Sequence, residues 1–196
     1  MIRRTLRGAE ALALAVGSRP AWVVPAGASL SRRLRIAAEP AARLLAAPWN
    51  PAAALAAFDQ NRVPRRPSAL GVGAVVAAQA VYARRLLRIG ARPSWPVGLA
   101  TAAATAGGAA YARGGALAPA VLAGGAAHAV TVALANDPAL RGGVPALEGI
   151  SHGANLAFAA EGLRLFANSG ARNPLLDALV AAAGSVGHLL LAQGLR

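Results

Sequence analysis

The chain predicts an all-α fold: a small polytopic bundle of about four transmembrane helices behind a basic, partly amphipathic N-terminal extension. Three observations point there. Apolar residues make up 56% of the 196 positions and charged residues 14%, against roughly 45–50% and 25% in ordinary soluble domains. Four long apolar segments follow residue 93. Fifteen of the twenty basic residues, all of them arginine, precede it. GC-rich codons would favour alanine and arginine in this way. They do not account for the shortage of acids behind a net charge of +13.

Residues 1–68 form the first region, an Arg/Pro-rich arm with eleven arginines. Leu30, Leu34, Ala37, Ala41 and Leu44 recur at helical spacing, with Arg32, Arg33, Arg35, Glu39 and Arg43 largely between them and Pro40 interrupting. Such a stretch is a basic amphipathic helix, with Arg32, Arg33, Arg35 and Arg43 as its lipid- or partner-binding face. The beginning, Met1 to Arg7, also suits an organellar transit peptide, because it is Arg-rich and nearly free of acids. Asn50-Pro51 is a helix start, an N-cap followed by proline at the first helical position. Ser68 is positioned to cap the next helix.

Residues 69–92 form the second region, an apolar run followed by Arg84, Arg85, Arg88 and Arg92. Taken as an interfacial or flanking helix, it leaves four spans in the third region, 93–196: Trp95–Ala112, Ala116–Ala135, Val144–Phe166 and Pro174–Leu195. Each has 18–23 residues, and a hydrocarbon core of about 30 Å needs roughly 20. With four spans, seventeen arginines fall on one side of the membrane and three on the other. That places both termini on the positive, cytoplasmic or matrix, side of a bacterial plasma membrane or a mitochondrial inner membrane. Gly98, Ala102 and Ala106, and the pairs Gly107-Gly108 and Gly124-Gly125, offer surfaces for close helix approach. Trp95 and Tyr111 stand at span ends, where interfacial aromatics belong.

Candidate chemistry is sparse. The absence of cysteine excludes a disulfide framework, an iron–sulfur ligand set and a thiol nucleophile. No dinucleotide fingerprint, zinc-protease helix or nucleophile elbow is present. The three histidines fall in separate spans: His128, His152 and His188. Glu148, His152 and Asn155 share one helix face, as do Asp177, Ser185 and His188. Converging faces would give a His/carboxylate cluster from Glu148, His152, His128, His188 and Asp177, able to bind a metal or move protons. The plainer assignment is caps and core polar groups, with Asp177 at a helix start and His128 bonded to a backbone carbonyl. Glu161 and Arg164 are spaced to pair locally.

The expected function is that of a non-catalytic accessory or structural subunit of a membrane complex. Its partners would be other membrane subunits and anionic lipids such as cardiolipin, with no cofactor or metal. Two alternatives stand beside it. One is a small membrane enzyme or transporter acting on lipid or isoprenoid substrates through the His/Glu cluster. The other is a soluble basic helical binding protein. Nucleic acid is not expected as a partner, because the basic region has no zinc-finger or RNA-motif signature and few aromatics for base stacking.

Overall fold

The computed structural model describes residues 39–62, 68–112, 117–141, 145–168 and 174–196. Every regular element among them is helical. A helical segment at 39–46 is followed by α1 (Pro51–Arg62), α2 (Ala69–Arg88), α3 (Trp95–Tyr111) and α4 (Leu117–Ala135). A 3-10 turn, Pro138–Arg141, leads to α5 (Pro145–Asn168) and α6 (Pro174–Gly194). The last four helices reproduce the four predicted segments to within two residues at each end. Arg32, Arg33 and Arg35 lie outside the described residues.

Local chemistry explains the boundaries. Ser68 caps α2: its hydroxyl oxygen accepts the Gly71 backbone N–H at 2.9 Å, as the sequence predicts. At the other end, Gly90 adopts φ +84°, the left-handed region that glycine enters without steric cost. Ala91 N–H then bonds Leu86 C=O and Gly90 N–H bonds Leu87 C=O, each at 3.0 Å. This Schellman arrangement stops α2 and tucks Leu86 and Ala91 into the core. Asn50 departs from its expected role. Its backbone carbonyl accepts Ala53 N–H, but its side chain turns away and donates to Ala78 C=O of α2 at 3.1 Å.

The consecutive pairs α3–α4 and α5–α6 run antiparallel, whereas α2 runs parallel to α4 and α6. Helix α4 is central, packing against α2, α3 and α5, while α5 and α6 share the largest interface. Glycine lets that last pair meet backbone to backbone. A Cβ on Gly153 would fall 2.6 Å from Gly187 O, and one on Gly187 would fall 2.6 Å from Ala157 N. At one end of the bundle, Tyr82, Leu86, Val132, Leu134, Ile150, Leu191 and Leu195 form the apolar core. Segment 39–46 and α1 fold back against the bundle, and Ala47, Ala53, Ala56 and Ala57 are buried there.

Among the described residues two helices, α2 and α4, are long and apolar enough to cross a membrane; α4 is one of the four expected spans, and α2 is the segment the sequence suggests as a flanking helix. The twenty residues of α2 rise about 30 Å, the thickness of a bilayer core.

Candidate functional site

Polar side chains gather inside the bundle. The centre of the cluster is Arg43, whose Nη2 donates to Glu39 Oε1 at 2.6 Å across one helical turn. Both side chains are buried, at 4% and 3% exposure. Arg43 is thus not part of an outward basic face, contrary to the sequence expectation. The spacing from Glu39 to Arg43, four residues, was the available signal for the pair. Glu39 also accepts from Asn61 Nδ2 of α1 at 2.7 Å and lies 3.9 Å from Arg164 of α5. Burial alone would raise the Glu39 pKa. The charges of Arg43 and Arg164, with hydrogen bonds from Asn61 and Arg43, outweigh burial and hold it below the ordinary 4.5.

The other face of Arg43 meets α6, its Nη1 standing 3.0 Å from His188 Nε2. A guanidinium only donates, so Nε2 is the acceptor and the proton sits on Nδ1. That proton points to Tyr82 Oη of α2, 3.2 Å away. Tyr82 stacks edge-on with Trp49 at 5.6 Å between ring centroids, and Arg85 lies 3.8 Å over the Trp49 ring. His128 has a separate setting. Its Nδ1 donates to Gly124 C=O at 3.0 Å, so its Nε2 accepts from Gln79 Nε2 at 3.0 Å. The predicted bond from His128 to a backbone carbonyl is therefore present.

The three histidines do not share partners. His128 and His188 are buried on different partners, and His152 is exposed. Asn155 pairs with Asn136, whose Nδ2 donates to Asn155 Oδ1 at 3.0 Å. Glu148 and Asp177 occupy the first turns of α5 and α6, and their side chains lie outside the described set. Glu161 and Arg164 do approach each other, at 3.8 Å. Among the described residues, no three His, Asp or Glu side chains are grouped to hold a metal ion. Glu39, Arg43 and His188 instead share polar contacts with Asn61, Tyr82 and Arg164, and Gln60 bonds Glu161, tying segment 39–46 and α1 to α2, α5 and α6.

A cavity of about 180 Å³ opens at the opposite end from the apolar core, between α2, α3, α4 and α5. Val75, Val121, Phe158 and Leu165 line it, and Asp59, Gln60, Glu161 and Arg164 stand at its polar side.

Electrostatics distinguish the two ends. Arg84, Arg88 and Arg92 are exposed where α2 ends and α3 begins, beside the exposed side chains of Leu87, Ile89 and Trp95. The C-terminus lies at the same end, since Arg85 Nη1 donates to Leu195 C=O at 2.9 Å. Asp137 is an acid at this end, accepting backbone N–H bonds from Arg92 at 2.6 Å and Ala139 at 2.9 Å. Those bonds hold its pKa below the ordinary 3.8, with a further contribution from the Arg92 charge.

No family model, curated protein or solved structure matches the chain.

Proposed function

We propose that the chain is a membrane-embedded, non-catalytic accessory subunit whose apolar outer faces pack against lipid and other membrane proteins. The observation that carries this reading is an inverted distribution of polarity. Glu39, Arg43, Gln79, His128 and His188 are buried, whereas Leu70, Leu99 and Trp95 are 64%, 68% and 73% exposed. Water would solvate the first set and be repelled by the second. A bilayer reverses both preferences, because it favours apolar surface outside and forces ionisable groups to pair within. An apolar surface this wide also suits protein partners.

The basic end supports an orientation. Exposed Arg84, Arg88 and Arg92 beside Trp95 suit the cytoplasmic or matrix interface of a bacterial plasma membrane or mitochondrial inner membrane, with the C-terminus on that side. There each arginine near an anionic leaflet adds about 1 kcal/mol of attraction, so cardiolipin or a similar lipid is a fitting contact.

Extraction of the full chain in mild detergent, followed by sizing and identification of co-purifying proteins, tests the subunit role. The expected result is an apparent mass well above that of the 19.5 kDa chain and its detergent, with defined membrane proteins present. A monodisperse monomer with no companion would overturn it.

A further inference from the structure

We propose that the cavity between α2, α3, α4 and α5 binds a single-chain amphiphile with a protonated amine head, the alkyl chain inside and the head against Glu161 and Gln60. The inference goes beyond the subunit role and does not depend on it. The volume, about 180 Å³, exceeds the roughly 150 Å³ of an apolar protein cavity that takes up benzene. It therefore holds a run of several methylenes. Glycines keep its walls thin: Gly108, Gly124 and Gly162 all border it, and a Cβ on Gly162 would find no atom within 4 Å.

The choice of head group follows from an excess of acceptors at the polar side. Gln60 Nε2 donates to both oxygens of Glu161, at 3.3 and 3.2 Å, which sets the orientation of its amide. Gln60 Oε1 is thereby left as a buried acceptor with no partner. Asp59 and Glu161 are carboxylates and only accept, and among the described residues Asp59 takes one hydrogen bond, from Ser68 Oγ at 2.7 Å. On the donor side stands Arg164, whose Nε is also without a partner. Its positive charge is already divided between Glu39 at 3.9 Å and Glu161 at 3.8 Å. An ammonium head supplies up to three N–H donors and a positive charge to this wall. A carboxylate head of equal chain length adds acceptors and meets Asp59 and Glu161 as like charges.

The test uses the full chain in phosphatidylcholine nanodiscs, with empty discs as background. Binding of radiolabelled dodecylamine is compared with that of dodecanoate. Saturable, one-to-one amine binding, roughly tenfold tighter than dodecanoate, is expected. Gly162→Leu fills open space and should weaken amine binding roughly tenfold while the melting temperature is retained. Glu161→Gln should erase the preference for amine over carboxylate. No saturable binding above empty discs would overturn the proposal, as would equal affinity for the two heads. Undiminished amine binding by a folded Gly162→Leu protein would overturn it too. Should Gly162→Leu fail to fold, the head-group comparison on the unaltered chain decides alone.

Discussion

Arg43 and His188, 145 positions apart in the chain, meet at 3.0 Å inside the bundle, guanidinium Nη1 against imidazole Nε2. The contact fixes the imidazole as neutral with its proton on Nδ1, because the guanidinium has nothing to accept with. It also joins segment 39–46 to α6, while Tyr82 on the far side of the ring joins α6 to α2. Three stretches of chain distant in sequence are thereby held at one imidazole.

Breaking this network from one side takes from buried Glu39 its nearest counter-charge and leaves only Arg164, 3.9 Å away. Arg43→Ala strands Glu39 beside an emptied site, and the cost is expected at about 3–5 kcal/mol. Joint replacement of Glu39 and Arg43 by methionine removes both charges at similar volume and should cost far less. Chemical denaturation in detergent of Glu39→Met, Arg43→Met and the double variant measures the coupling directly.

Acid should weaken the fold through the same groups. Glu39 and Asp137 both have folded pKa values below their ordinary ones. Each contributes stability that is present above the ordinary carboxylate value and lost as pH falls through the lowered one. The melting temperature is expected to stay level near neutrality and to drop once pH passes below about 4. Glu39→Gln should flatten part of that drop. A melting temperature unchanged down to pH 3 would contradict the assignment.

Close approach of α5 and α6 depends on two glycines. Gly187→Ala places a Cβ against Ala157 N and Gly153 O, and overpacking of this kind costs about 1–3 kcal/mol. Gly73 is the control, since a Cβ there meets nothing within 4 Å. Gly73→Ala should be stabilising by up to about 1 kcal/mol, the gain in helix propensity. Thermal unfolding of both variants separates packing from propensity.

Lipid contact at the basic end should depend on Arg84 and Arg88. Their joint replacement by glutamine removes about 2 kcal/mol of attraction to an anionic leaflet. Native mass spectrometry from cardiolipin-containing nanodiscs should show fewer retained lipids, with phosphatidylcholine retention unchanged.

Much of the helical outline was legible in the sequence, for local reasons. Ser68 caps α2, and Pro51 and Pro174 each open a helix. The pairing of Glu161 with Arg164 is likewise set by helical spacing. Which faces turn inward was harder to read. Alanine occupies both sides of most helices, so periodicity does not separate a lipid face from a buried one. Arg43 shows the consequence: by pattern it belongs to a basic surface, yet Glu39 and His188 hold it inside. The histidines illustrate the same point. Helical spacing placed Glu148 and His152 on one face, but it could not indicate that His152 is exposed while His128 and His188 each take separate partners. The cavity is still less local, since its walls come from four helices whose order of packing no short pattern encodes.

In the proposed membrane-embedded state the bundle keeps its charges inside and its apolar side chains in lipid. Alkaline carbonate extraction of membranes from cells making the full chain tests this most directly, since it releases peripheral proteins and leaves embedded ones behind. The chain is predicted to stay in the membrane pellet. Its recovery in the carbonate supernatant would contradict the account.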